Sequence, residues 1–313
     1  MLLFIAKRLL MALPTLLAVL TLVFVLVRIV PGDPALVVLG DQASPDALQA
    51  MRERLGLDQP VWTQYLTYLG GVVRGDLGRS LTTNRPVLAD VVAVLPYTIE
   101  LTIASLIIGI AVGVPLGVLA AIKRNGFADW MARIVSLIGL SFPAFVSGVL
   151  LLVFFAIQFR WFPVISAPKS GDIGDRLQAL ALPAINLGVI MIAYVTRVTR
   201  SGMLTALGED YVRTARAKGV PARAVVWRHA LRNVLIPIVT IIGLNLGVLI
   251  GNSVLTEIVF SRPGLGKIIV NALNTRDYAT LQGMMVVFAF AIVLANVLTD
   301  LVYGLVDPRV KTP

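Results

Sequence analysis

Six long apolar runs parted by polar connections set the layout of the chain: residues 9–30, 96–122, 134–159, 180–195, 235–258 and 281–303. A membrane-crossing helix needs roughly 20 mostly apolar residues, and all but the fourth, the shortest and weakest, reach that length. The pattern predicts an all-α membrane protein of six spans with both termini on one side. The first run follows Lys7-Arg8 as a signal peptide would. It is longer than an h-region of about 7–15 residues, and no small-x-small cleavage site follows, so it reads as a retained span. It stops at Pro31-Gly32-Asp33-Pro34, where proline cannot continue a helix.

Residues 31–94, a 64-residue outer loop, break the apolar pattern. Ser44-Pro45-Asp46 is a helix start with proline at the first helical position, and Gly56 ends the helix it opens. A second helix is predicted over 61–73, with Trp62, Tyr65 and Tyr68 at a spacing of three. That spacing suits a helix lying on the membrane surface, and equally one packed within the loop. Turn signals follow at Gly70-Gly71, Gly75-Asp76 and Gly78. The chain divides into an N-terminal span (1–30), this outer region (31–94), a five-span core (95–305) and a short tail (306–313).

Composition changes the picture little and excludes much. The chain is 58% hydrophobic and 14% charged, where soluble chains carry about 25% charged residues; lipid is its solvent. It has no cysteine and one histidine, His229, which excludes disulfide scaffolds, thiolate chemistry and multi-histidine metal centres. The net charge of +10 reflects retention of Lys and Arg on the cytoplasmic side rather than nucleic-acid binding. Lys7, Arg8, Lys123, Arg124, Arg133, eight basic residues between spans four and five, Arg309 and Lys311 fall on one side. The other side carries fewer, and five of those sit in the long loop, where the rule loses force. Both termini are therefore expected in the cytoplasm.

The most basic short connection, residues 196–234, reads as ordered helix. Glu209 and Asp210 stand at the start of a short helix, where the helix dipole favours them. Lys218 closes it, Gly219 takes the left-handed position after it, and Pro221 prevents continuation. A second helix is predicted from Pro221 to Asn233. Thr214, Ala215 and Ala217 are small and permit close approach of another surface; Arg213, Arg216 and Lys218 supply charge for carboxylates on it. These residues suit a docking element, and equally a solvated basic loop.

Thr214-Ala215 followed by Gly219, before the penultimate span, resembles the EAA loop of ABC-transporter importer permeases, whose pattern is E-A-A-x-x-x-G with I-x-L-P about ten residues on. Here Arg213 stands for the Glu and Thr214 for the first Ala; Arg232 stands for the Pro, and proline comes at Pro237. These departures are similar to the dipeptide/oligopeptide branch, B-type subunit. Asp210-Tyr211-Val212-Arg213-Thr214-Ala215-Arg216-Ala217-Lys218-Gly219 and His229-Ala230-Leu231-Arg232-Asn233 carry the likeness. So do Leu55-Gly56-Leu57-Asp58-Gln59-Pro60, Gly75-Asp76-Leu77-Gly78-Arg79-Ser80, Thr98-Ile99-Glu100-Leu101, Ser141-Phe142-Pro143, Glu257-Ile258-Val259-Phe260-Ser261-Arg262-Pro263-Gly264-Leu265-Gly266 and Asp307-Pro308-Arg309.

The resemblance implies a type I ABC importer permease fold in a bacterial inner membrane. It implies a second homologous permease, two ATP-binding subunits holding ATP and Mg, an extracytoplasmic substrate-binding protein, and a peptide as substrate. The coupling helix would span Asp210 to Gly219. Glutathione or a nickel chelate are alternative cargoes on the same machinery. The chain's nearest approach to a phosphate-binding loop, Gly264-Leu265-Gly266-Lys267-Ile268, lacks the spacing and the hydroxyl, so no cofactor and no catalytic residue are expected here. Polar groups within spans mark either a translocation path or helix–helix hydrogen bonds. Asn186, Asn245, Asn252, Ser253 and Asn296 are the candidates, with Glu100 and Asp300 the ionisable ones. An ion-coupled secondary transporter would be expected to show repeat symmetry or clustered carboxylates, and neither is present. A structural membrane protein remains the third reading.

Overall fold

The computed structural model describes residues 2–29, 33–40, 43–168 and 172–306. Lipid offers no partner to backbone N–H and C=O groups, so crossing segments satisfy them internally as helix. Among the described residues the regular secondary structure is helical apart from one isolated bridge, Arg79 to Pro86. Helix α1 covers Leu2–Ile29, α2 Pro34–Leu39, α3 Pro45–Arg54, α4 Val61–Val73 and α5 Val87–Ile122. Then come α6 (Phe127–Ser141), α7 (Ala144–Leu151) with a π-helical extension over Leu152–Gln158, and α8 (Ile173–Ala206). Helices α9 (Asp210–Ala217) and α10 (Ala222–Ala224) lead through a π-helical turn, Val225–Ala230, into α11 (Leu231–Val259). Helices α12 (Leu265–Asn274) and α13 (Tyr278–Val306) complete the chain. Five helices among the described residues are long and apolar enough to cross a membrane, six if the bent pair at α6 and α7 is one span. Residues Pro31-Gly32 and Asp307-Pro308-Arg309, quoted above, and Lys169 and Lys311 lie outside the described residues.

Four elements differ from the apolar runs. Helix α5 starts at Val87 rather than Pro96: Asp90 interrupts the run, yet an acidic residue in a first turn favours the helix. The third span is bent by 107° between α6 and α7. Phe142, which precedes Pro143, is forced out of the helical region to φ −99°, ψ 132°. The fourth span is not the short run 180–195 but the 34-residue α8. Its apolar stretch is 72% buried, against 17% for α13, so protein rather than lipid is its solvent and polar residues are tolerated along it. Finally, residues 196–206 belong to α8, and Ala222–Val259 runs on without the expected break at Asn233.

The chain groups into two compact units, one of residues 1–8, 99–262 and 295–313, the other of 9–98 and 263–294. In the first, α8 is the axis of the core: Leu187, Met191, Val195 and Met203 are buried with Leu101, Val118, Val234, Ile238 and Leu249. On α5, Gly109, Gly113 and Gly117 recur every fourth residue. A Cβ on each would stand 2.4 Å from Met191 Cβ, 2.9 Å from Val195 Cβ and 2.6 Å from Thr199 Cβ, respectively. Small residues at this spacing let two helix backbones close on one another. Asn186 ties three helices: its Nδ2 donates to the Ala144 carbonyl (2.9 Å) and its Oδ1 accepts from Ser147 (2.7 Å), with Thr256 Oγ1 3.4 Å from Nδ2.

In the second unit, Phe24 of α1 stacks on Tyr68 and meets Tyr65 edge-on, and Thr21 hydrogen-bonds Tyr65. The aromatic spacing of α4 thus serves packing within the unit, while Trp62 is exposed. Asp277 is the polar hub of this unit. It accepts from Ser80 Oγ (2.5 Å), the Leu81 N–H (3.0 Å), Thr82 Oγ1 (3.1 Å) and both the N–H and Oγ1 of Thr280 (3.1 and 2.9 Å). Burial pushes its carboxyl up, but Ser80, Leu81 and Thr280 outweigh burial and hold it below the ordinary carboxylate value. A depressed folded-state pKa stabilises above the unfolded value, about 3.9, and that contribution is lost as pH falls through the folded value. Asp277→Ala, which strands five donors, is expected to cost about 1–3 kcal/mol. Asp277→Asn is expected to be milder, because three of the donors are hydroxyls that can turn to accept from the amide, and to remove the part of the acid sensitivity below pH 4. Thermal unfolding of the detergent-purified protein between pH 7 and 3 checks both; identical acid profiles for wild type and Asp277→Asn would exclude the carboxylate as the hub's source of pH dependence.

Candidate coupling segment

Helix α9 is built by local signals at both ends. Glu209 and Asp210 place negative charge on its first turn. Arg213 pairs with Asp210 at 3.3 Å in the open, a contact worth little, and Thr214 Oγ1 donates to the Asp210 carbonyl. At the other end Gly219 has φ +74°. The Val220 N–H reaches back to Ala215 O (3.1 Å) and the Gly219 N–H to Arg216 O (3.0 Å), the paired bonds of a Schellman stop, which requires a left-handed residue where a Cβ would be strained.

The stop turns the chain so that α9 folds against the π-helical turn after it. Val212 and Ala215 are buried with Val225, and Val220 packs on them. Ala215, expected on the docking surface, is therefore turned inward as part of a closed hairpin. Asp210, Tyr211, Arg213, Thr214, Arg216, Ala217, Lys218 and Gly219 are exposed. They present an open face with an excess of positive charge, carried on a helix that its own apolar cluster holds.

The residues proposed for a translocation path are not gathered in the same way. Asn245 is nearly buried and donates to Ile241 O on its own helix (2.8 Å); Ser253 is buried and donates to Ile250 O (2.7 Å). Asn252 is half-buried and Asn296 exposed. The ionisable groups are paired: Asp300 with Arg8 (2.8 Å), and Glu100 with both Arg176 (2.8 Å) and the wholly buried Arg262 (2.7 Å). Sequence reasoning passed over Asp129, which is fully buried and pairs with Arg133 and Arg200. Its signal was an acid in the first turn of an apolar helix with arginine four residues on, a favourable helical pair.

Residues 113–312 match the family of binding-protein-dependent transport system inner membrane components, and residues 1–102 match the N-terminal region of such membrane components. The chain belongs to this family. As a whole the permease is 41% identical to the dipeptide transport system permease protein DppB of Escherichia coli strain K12, over 99% of each chain. It is 40% identical to the di/tripeptide permease DppB of Pseudomonas aeruginosa and 39% to the glutathione permease GsiC of Escherichia coli O6:H1, again over 99% of each chain. Its fold is that of a type I ABC importer permease: an inward-facing structure of the MetNI methionine ABC transporter aligns with a TM-score of 0.55 at 20% identity, covering 69% of this permease and 96% of that chain. The permease is thus a multi-pass inner-membrane transport subunit of a binding-protein-dependent importer.

Proposed function

We propose that this permease imports dipeptides and other short peptides, driven by ATP hydrolysed in partner subunits, and that α9 is the element on which those subunits act. The observation that carries the substrate is identity of about 40% along 99% of the chain to dipeptide and di/tripeptide permeases. In the complex, a second, similar permease completes the membrane part, two ATP-binding subunits sit beneath it in the cytoplasm with both termini, and a binding protein delivers peptide from outside. The exposed face of α9, Tyr211, Arg213, Thr214, Arg216, Ala217 and Lys218, meets the ATP-binding subunit. A flexible loop would dissipate a displacement; α9 passes it on because Val212 and Ala215 clamp it to Val225, at the head of the helical run that continues into α11.

A glutathione permease at 39% identity supports a second reading in which the cargo is the tripeptide-like thiol glutathione. Uptake of a labelled dipeptide, labelled glutathione and nickel in cells with and without the gene separates them. The expected result is loss of dipeptide uptake with the other two unchanged. Intact dipeptide uptake with glutathione or nickel uptake lost would reassign the cargo.

A further inference from the structure

Within the first unit, the second and third turns of α6 and the C-terminal turns of α8 line an open cavity of about 430 Å³, with Arg133, Arg197, Arg200, Ser136, Thr196 and Ser201 around it and Ala132 and Leu137 on its apolar side. Three guanidinium groups around one cavity repel each other unless an anion is present, and among the described residues Asp129 is the single carboxylate that pairs with any of them. Asp129 is wholly buried and uses both oxygens: Oδ1 accepts from Nε of Arg200 (2.5 Å) and Nε of Arg133 (3.2 Å). Its Oδ2 accepts from Nη2 of Arg133 (2.7 Å), Nη2 of Arg200 (3.0 Å) and the Asn125 N–H (2.9 Å). One carboxylate thus fixes two guanidiniums in place by their Nε and Nη2 edges and leaves the Nη1 of each outside these bonds. Arg197, a turn away on α8, is exposed and forms no ion pair among those described. The three lining arginines together with Asp129 carry a net charge of about +2, with the Ser136 and Ser201 hydroxyls as further donors, the preference of a tetrahedral oxyanion.

The surroundings point to a lipid as the bearer of that oxyanion. Leu137 lines the cavity and is 63% exposed; it lies one turn along α6 from Arg133, about 6 Å along the helix axis. Ile138 and Trp130 are exposed on α6 as well, and Trp130 stacks on Phe127 at the helix start, the aromatic pattern of a membrane–water interface. A headgroup held by the arginines would therefore lay its acyl chains along an apolar helix surface. We propose that this cavity holds the phosphate headgroup of an anionic phospholipid of the cytoplasmic leaflet, with Arg133, Arg197 and Arg200 as its ligands and Asp129 as the residue that positions two of them. The inference rests on the cytoplasmic placement of this end of α6 and α8 in the reading above, and its test does not depend on cargo.

The assembled transporter, purified and stripped of lipid, is titrated with phosphatidylglycerol or phosphatidylcholine and bound lipid is resolved by native mass spectrometry. Wild type is expected to retain phosphatidylglycerol over phosphatidylcholine. Arg197→Gln, which breaks no described contact, is expected to lower phosphatidylglycerol retention at least threefold, whereas Arg124→Gln, an exposed arginine outside the cavity, leaves it unchanged. Inorganic phosphate at millimolar concentration is expected not to displace the lipid. Equal retention of the two lipids, an equal effect of Arg124→Gln, or displacement by inorganic phosphate would each overturn the proposal. Binding seen only in the isolated permease and lost in the assembled transporter would overturn it as well, and assign the face to a subunit contact.

Discussion

Gly117→Leu is expected to abolish transport by preventing α5 and α8 from closing, while leaving the chain as apolar as before and so still inserted. A Cβ at Gly117 would lie 2.6 Å from Thr199 Cβ and 2.8 Å from the Thr196 carbonyl oxygen. The second contact decides the outcome, since a side chain can rotate away but a carbonyl in the middle of α8 cannot move without the helix. Overpacking of this kind costs about 1–3 kcal/mol and more where backbone must shift. The neighbouring contact shares the strain: Thr196 Oγ1 donates to Gly113 O at 3.3 Å, and that bond lengthens if the helices part. Gly251→Leu is the control, because that glycine of α11 is exposed and a Cβ there meets nothing within 4 Å. The measurements are membrane abundance, melting temperature of the purified transporter and dipeptide uptake. Equal losses for the two variants, or normal uptake by Gly117→Leu, would mean that the glycine strip is not what holds the core.

Which parts of this architecture the sequence discloses follows from the range over which each signal acts. The bounds of α9 are local: Glu209-Asp210 start it and Gly219-Pro221 stop it, and the helix stands at Asp210–Ala217 as those residues require. Hydropathy, by contrast, measures preference for lipid. It marks α1 and α13, which expose their apolar faces, and underrates α8, which is sheltered by other helices and carries Asn186, Thr196 and Thr199 into the core. The interruption at Phe142-Pro143 is visible because proline constrains its predecessor, but that local constraint does not specify a turn of 107°. Least legible are the ion pairs. Asp129 meets Arg200 across 71 positions and Glu100 meets Arg262 across 162. No pattern along the chain announces such partners, and the same blindness made Asn186 look equally like a path residue and a helix tie. The inward turn of Ala215 was hidden for a related reason: alanine suits both a docking face and a packed one, and only the position of Val225 decides between them.

That ambiguity gives α9 its sharpest test. Arg213→Glu with Arg216→Glu changes only the exposed face, so the Val212–Ala215–Val225 cluster and the Schellman stop survive, and the hairpin is expected to stay protease-resistant. Removing a basic side chain from a desolvated contact with a carboxylate costs about 2–5 kcal/mol, more than tenfold in affinity. The double variant is therefore expected to lose its ATP-binding subunits on purification and to lose uptake. Ala215→Glu acts from the other side. It drives a carboxylate into the apolar Val212–Val220–Val225 cluster, which costs more than burying a neutral polar group, about 1–3 kcal/mol, and is expected to open the hairpin to protease as well as to stop uptake. Gly219→Val belongs with it, since a β-branched residue at φ +74° is strained whatever surrounds it. Two patterns of loss are thus expected from one short helix: partner loss with an intact hairpin from its outer face, and hairpin opening from its inner one. If the charge-reversed variant retained its ATP-binding subunits and transported normally, α9 would be a packed turn on the membrane surface and the power stroke would have to enter the permease elsewhere.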